Sequence, residues 1–106
     1  MRFINWLFSF LELPIFTSKL PTQVIIDRGS TLSLCCKATG SPLPTIEWSR
    51  VQRFADVPLG FQQNGCIEVN TVRKNSDGDY ICRARNSFGL AETVTAVFVD
   101  KKGCVF

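Results

Sequence analysis

Apolar and polar residues alternate in short runs from Thr22 onward, and turn residues separate these runs. A period of two is typical of strands buried on one face, whereas a helix would repeat its apolar positions every 3.6 residues. The alternation predicts strands at 23–26, 31–37, 46–48, 67–69, 79–85 and 90–99. Residues 51–65 are irregular, and we expect only a short edge strand near 59–62. About 7–9 short strands of this kind predict an all-β, antiparallel β-sandwich with Greek-key connections.

Two cysteines and a tryptophan occupy inward positions of the predicted strands. Cys36 and Cys82 have the inward parity of their strands, and Trp48 lies between them in sequence, also inward. Cysteines on facing inner surfaces can bridge the two sheets of a sandwich, and an indole beside the bridge fills the core, so we predict a Cys36–Cys82 disulfide. Tyr80 precedes Cys82 by two residues, where a tyrosine hydroxyl can bond to the chain upstream. The predicted core signature comprises Leu34, Trp48, Ile67 and Tyr80.

Three segments resemble intermediate-set (I-set) domains of the immunoglobulin superfamily. They are CKATGSPLPTIEW at 36–48, the stretch from IEV to SDGDYIC within 67–82, and RARNSFG at 83–89. The resemblance covers about 21–100 and implies an immunoglobulin fold in a binding protein that is not an enzyme. Such domains occur in neural cell-adhesion molecules, receptor ectodomains, small secreted proteins and giant intracellular muscle proteins. The family usually carries aspartate four residues before the tyrosine, but Ser76 stands there in this chain, so the ion pair of that aspartate is not expected.

Composition excludes several kinds of chemistry. The 106 residues contain no histidine, which removes the commonest general base, the commonest metal ligand and the usual activator of a nucleophile. Twelve Lys and Arg residues against nine Asp and Glu residues give a formal net charge of +3, too small by itself to indicate nucleic-acid binding. We therefore expect no catalytic residues, no metal, no cofactor and no nucleic-acid partner.

Five cysteines in a short chain indicate an oxidising compartment, and their odd number leaves one thiol over. Cys35 and Cys66 both point outward, on strands that are neighbours in this fold, so a second disulfide between them is one prediction. Cys104 would then be available for an intermolecular disulfide. The alternative is that several of these thiols are free.

The first residues have the form of a secretory leader. A basic start, Met1-Arg2, precedes a short apolar run through Leu11 that is too short to span a bilayer as a helix. We interpret 1–20 as a signal peptide or an N-terminal extension, 21–100 as the domain and 101–106 as a C-terminal tail. Without another apolar segment of membrane-spanning length, the protein is predicted to be secreted, or alternatively to be an extracellular fragment of a membrane protein.

The best candidate for a binding surface is the outward face of the predicted sheet that contains the last two strands. Parity turns Val94, Ala96 and Phe98 outward, and aromatic and arginine residues are enriched at protein interfaces. A bulge in the last strand would instead bury Phe98 and leave an ordinary charged face. The predicted partner-binding residues are Glu47, Ile81, Arg83, Arg85 and Phe98.

These observations predict an extracellular protein–protein recognition module in adhesion or signalling, with a neuronal setting among those implied by the resemblance. Its partner would be an immunoglobulin-family receptor, another protein or a second copy of itself. One alternative is a secreted domain that binds sulfated glycans, whose binding should weaken steeply with salt. Another is a structural module of a larger receptor or muscle protein. Charge for glycan binding would come from Arg50, Arg53, Arg73, Lys74, Arg83, Arg85, Lys101 and Lys102.

Overall fold

The computed structural model describes residues 11–18, 20–52, 55–61 and 64–100. Most of the predicted leader, the tail and Cys104 lie outside these residues. Nine strands and one 3-10 turn follow one another along the described chain. They are β1 (Glu12–Phe16), β2 (Gln23–Asp27), β3 (Leu32–Cys35), β4 (Ala38–Ser41), β5 (Thr45–Gln52), β6 (Ala55–Phe61), β7 (Cys66–Val69), the 3-10 turn (Lys74–Ser76), β8 (Gly78–Asn86) and β9 (Gly89–Asp100).

The strands form an immunoglobulin-like sandwich, as the sequence predicted. One layer is a five-stranded sheet in the order β2-β9-β8-β5-β6, and the other contains the pairs β3-β7 and β1-β4. Neighbouring strands are antiparallel except β2 and β9, which run parallel. Side chains alternate between the core and the surface along each strand because successive residues of a strand point to opposite faces.

Two segments differ from the sequence-based expectation. Residues 12–16 were assigned to the N-terminal segment outside the domain, but β1 pairs with β4 and the Phe16 side chain packs against the core. The domain therefore begins before residue 21. The short edge strand expected near 59–62 is instead β6, which starts at Ala55 and pairs with β5. Both segments lack clean alternation, so neither could be recognised from period alone.

The centre of the core is the disulfide between Cys36 and Cys82, whose Cα atoms are 6.6 Å apart. Trp48 lies opposite Cys82 on the neighbouring strand, and all three side chains are fully buried. The Gly65 carbonyl accepts hydrogen bonds from the Trp48 indole N–H at 3.1 Å and from the Cys36 backbone N–H at 2.9 Å. At Gly65 the φ angle is +76°, and an added Cβ would lie 2.2 Å from the Cys36 carbonyl oxygen, so only glycine fits.

Tyr80 connects the start of β8 to the segment before it. Its buried hydroxyl donates to the Ser76 carbonyl at 2.6 Å. The Ser76 hydroxyl in turn accepts a hydrogen bond from the Arg73 N–H at 3.0 Å, and the Ser76 N–H donates to the Arg73 carbonyl at 2.8 Å. The serine that replaces the family's usual aspartate therefore orders the 3-10 turn with neutral hydrogen bonds.

A second disulfide joins Cys35 to Cys66 on the outward face of the β3-β7 pair. These two cysteines are directly opposite one another in the register, next to the buried pair formed by Leu34 and Ile67. Because Cys35 and Cys36 are adjacent, β3 is linked covalently both to its neighbour β7 and, across the core, to β8.

Tyr80→Phe should lower the free energy of unfolding by about 1–3 kcal/mol, because it removes a short hydrogen bond and leaves a buried carbonyl without its donor. Urea denaturation measures the loss. Thr45→Val is the control, since the Thr45 hydroxyl is exposed and lies 3.4 Å from its acceptor, the Arg85 carbonyl; we expect a change within about 0.5 kcal/mol. Equal effects of the two substitutions would contradict the role given to the tyrosine.

Replacing both Cys35 and Cys66 by alanine should destabilise the domain by about 3–4 kcal/mol, since the bridge closes a 31-residue separation. The same double change at Cys36 and Cys82, 46 residues apart, should cost more, because it also leaves a cavity among fully buried side chains. Denaturation of both variants under identical buffer conditions gives the order. A larger loss from the outward pair would overturn this reasoning.

Candidate functional site

The outward side of the five-stranded sheet contains the candidate site, which we call the outer face. It is formed by the residues of β2, β5, β8 and β9 that point away from the core. The strand register arranges them in rows across the sheet, one row for every second residue. In β9 the alternation continues without a bulge through Val97, which is buried, and Phe98, which is exposed, so the alternative that a bulge buries Phe98 is wrong.

One end of the outer face is charged. Arg83 lies between Glu47 on β5 and Glu92 on β9 in the register. Its Nε donates to the Glu92 carboxylate, and its Nη1 donates to the Ser49 hydroxyl at 2.8 Å. Ser49 is only 2% exposed, although its position on β5 is an outward one. The guanidinium is therefore held in one orientation, and Arg85 lies beyond it as an exposed cation.

The other end of the outer face is apolar. Val94, 47% exposed, lies opposite half-buried Ile81, and Phe98, 52% exposed, lies beside Ile25. Ile25 is 66% exposed, which is unusual for a β-branched residue in a strand. Half-buried Ala96 lies between Val94 and Phe98 along β9, with Asp79 and Gln23 as its register neighbours, so the apolar side chains form a stripe along β9 that Ile25 widens beside Phe98.

An open groove of about 800 Å³ adjoins this apolar end. Phe98 and Ala96 line one side of it, and Lys74, Asn75 and Asp77 from the segment around the 3-10 turn line the other. An apolar wall next to polar and charged groups suits a protruding side chain of a protein partner, because interfaces combine a dry centre with a polar rim.

The five predicted partner-binding residues all lie on the outer face, but they do not form one compact cluster. Glu47, Ile81 and Arg83 are neighbours in the register. Arg85 pairs with Leu90, whereas Phe98 lies eight positions further along β9, about 26 Å away at the rise of a strand. The structure therefore divides the predicted set between the charged end and the apolar end.

Sequence reasoning did not include Ile25 in this surface. Its outward orientation follows from the alternation of β2, but its position beside Phe98 depends on the parallel pairing of β2 with β9. That pairing joins residues more than seventy positions apart, and a single sequence contains no direct indication of it. The apolar residues of the last strand, together with Ile81, were the part of this end that the sequence predicted.

The outer face offers contacts rather than reactive groups. Arg83, Ser49 and Glu92 are joined by a hydrogen bond and an ion pair, and histidine is absent from the whole sequence. Within the described ranges, no three His, Cys, Asp or Glu side chains are grouped closely enough to hold a metal ion. Among the same residues, no helix has the length and apolar character needed to cross a membrane.

Comparisons with known proteins agree with this architecture. Human hemicentin-1 is 39% identical over 92 residues, which cover 84% of this chain. Rat neuronal cell adhesion molecule is 38% identical over 74 residues, which cover 66% of the chain. The solved structure of hemolin, an insect immune protein, has a TM-score of 0.71 and 27% sequence identity over 83% of this chain and 22% of its own.

The chain spans only 2% of hemicentin-1 and 6% of neuronal cell adhesion molecule, so it corresponds to a single module of these long relatives. A family model described as an immunoglobulin domain matches residues 14–86, well over half of the chain. The matched range begins within β1, which agrees with a domain that starts before residue 21. By this match and by the sandwich built around the bridge of Cys36 and Cys82, the chain belongs to the immunoglobulin-domain family.

Proposed function

We propose that this immunoglobulin domain is an extracellular recognition module in cell adhesion or signalling, and that the apolar end of the outer face binds its protein partner. The observation that carries the proposal is the exposed apolar stripe of Val94 and Phe98, widened by Ile25. Large apolar side chains grouped on the surface of a small domain are costly in water, and such groups mark sites of protein association.

The neighbouring charged end would select and orient the partner. Arg83 is held by Glu92 and Ser49, so little side-chain entropy would be lost when a partner docks against it. Exposed Arg85 would contribute at the rim, where charges affect the rate and specificity of association more than its strength. The apolar end would supply most of the affinity.

The partner is an immunoglobulin-type domain, either a second copy of this protein or a receptor of the same family. Among the similar proteins, one is named as a cell adhesion molecule, and the domain arrangement of hemolin is described as having implications for homophilic adhesion. Two disulfides support an extracellular setting, since such bonds persist in oxidising compartments. The signal peptide, the I-set subtype and an intermolecular bond through Cys104 stay predictions.

Replacing Val94 and Phe98 together by serine should weaken partner binding at least tenfold, because each exposed apolar side chain contributes about 1–2 kcal/mol when it is buried at an interface. The test presents the soluble protein to cells that each express one immunoglobulin-type ectodomain, its own copy included. Surface plasmon resonance on the positive pairs then gives the change in Kd.

Leu43→Ser is the matched control for this experiment. Leu43 is 79% exposed in the connection between β4 and β5, away from the outer face, so its replacement should leave binding unchanged. Unaltered melting temperatures would show that all variants remain folded. Partner binding that survives the double substitution but is lost with Leu43→Ser would refute the assignment of the outer face.

A further inference from the structure

A second pocket, of about 550 Å³, lies between the turn that follows β2 and the segment that joins β7 to β8. Three cationic residues line it: Arg28 from the turn, and Arg73 and Lys74 from the segment. Its other lining residues are neutral, and no carboxylate is among them. We call this concave surface the basic pocket. A concentration of one sign of charge in a concavity attracts ligands of the opposite charge.

Backbone hydrogen bonds fix the two chain segments to each other. The Gly29 N–H donates to the Val72 carbonyl, and the Val72 N–H donates to the Ser30 carbonyl, both at 2.8 Å. The Val72 side chain is fully buried in the core. Arg28 and Arg73 each adjoin a residue of this reciprocal pair in sequence, so their backbones are held in place before any ligand arrives.

The hydrogen bond of Tyr80 also fixes the backbone of the segment that carries Arg73 and Lys74. Ser76 is bonded to both the N–H and the carbonyl of Arg73, and the Tyr80 hydroxyl holds the Ser76 carbonyl from the core side. Lys74 lies inside the short 3-10 turn between them. The cations that would contact a ligand therefore lie on an ordered backbone. This order reduces the conformational entropy lost on binding.

The surroundings add positive charge. The Arg50 guanidinium lies next to the pocket and donates to the Asn75 carbonyl at 2.9 Å and to the Gln52 side-chain oxygen at 3.1 Å, both neutral acceptors. Asp77 and Asp79 line the groove of the outer face and not the basic pocket. Lys74 borders that groove as well, whereas Arg28 and Arg73 line only the basic pocket.

The backbone of the pocket has one unfavourable conformation. Thr71 has a φ of +56°, in the left-handed region that β-branched residues rarely adopt. Such a conformation costs free energy, and it occurs most often where a binding or catalytic site needs a particular backbone path. Here it accompanies the segment that carries Arg73 and Lys74.

The structure assigns to the basic pocket the binding of a sulfated glycan chain. This role is separate from that of the outer face, and it depends only on the extracellular setting proposed above. Arginine guanidinium groups match the oxygen geometry of sulfate esters and bind them with charge-assisted hydrogen bonds. In an oxidising extracellular compartment, sulfated glycans are the abundant polyanions, whereas nucleic acids are intracellular. The glycan-binding alternative predicted from sequence drew its basic residues from several surfaces and did not include Arg28. The fold places Arg28 beside Arg73.

The test is calorimetric titration of the whole protein with a heparin octasaccharide at several NaCl concentrations. Lys74→Gln should weaken binding severalfold, and Arg73→Gln with Lys74→Gln should weaken it about tenfold or more. Each removed cation should reduce the slope of log affinity against log salt by about 1. Arg73→Lys, which keeps the charge but loses the planar fork, should retain part of the affinity.

Lys37→Gln is the matched control, because it removes the same side chain and the same charge from an exposed position between β3 and β4. Its affinity for the octasaccharide should equal that of the unmodified protein. An equal loss from Lys37→Gln and Lys74→Gln would overturn the assignment, since binding would then depend only on net charge. Equal binding of chemically desulfated heparin would overturn it as well.

Two further probes separate the glycan from other polyanions. At the same salt concentration, a single-stranded DNA oligonucleotide and vesicles containing phosphatidylserine should bind more weakly than the octasaccharide; tighter binding of either would refute the choice of ligand. The double variant Val94→Ser, Phe98→Ser should bind the octasaccharide normally. If the unmodified protein binds heparin but no immunoglobulin-type ectodomain, the proposal for the outer face fails; if it binds an ectodomain but not heparin, the proposal for the basic pocket fails.

Discussion

The bridge between Cys36 and Cys82, covered by the indole of Trp48, is the constraint on which the other features of this domain depend. A small sandwich has a thin core, and the disulfide fixes the distance between its layers at the point where the two sheets face each other. The Gly65 carbonyl holds the indole and the Cys36 backbone together from one side. Because the indole is fixed against β8, the orientation of the five-stranded sheet is fixed as well. The orientation of the sheet in turn sets which side chains point outward on the outer face.

Tyr80 connects this core to the 3-10 turn at one end of the sandwich. The tyrosine is fully buried beside the bridge, and its hydroxyl reaches the carbonyl of Ser76. Ser76 stands where the family usually has an aspartate, so the turn is held by neutral hydrogen bonds and contributes no negative charge of its own. Ser76 thus keeps the turn ordered without placing a carboxylate at this position beside Arg73 and Lys74.

The two candidate surfaces differ in how they would bind. The outer face joins an apolar end to a charged end, and its association with a protein would depend mainly on burial of Phe98, Val94 and Ile25, which salt affects little. The basic pocket contains cations on an ordered backbone, and its association would depend steeply on salt. Both rest on the same framework, yet they share no lining residue other than Lys74 and Asn75, which border the groove and the pocket.

The sequence by itself determined the sandwich, the inward positions of Cys36, Trp48 and Cys82, and the outward parity of Phe98, because the two-residue period of a strand is visible in a single chain. It left the N-terminal strand β1 unrecognised, since an apolar run without alternation resembles a leader. Only the tertiary structure decided that Ile25 lies beside Phe98 and that Arg28 lies beside Arg73. Those neighbours are set by the pairing of distant strands and by the hydrogen bonds of Gly29 with Val72, interactions between segments far apart in sequence that no local pattern records.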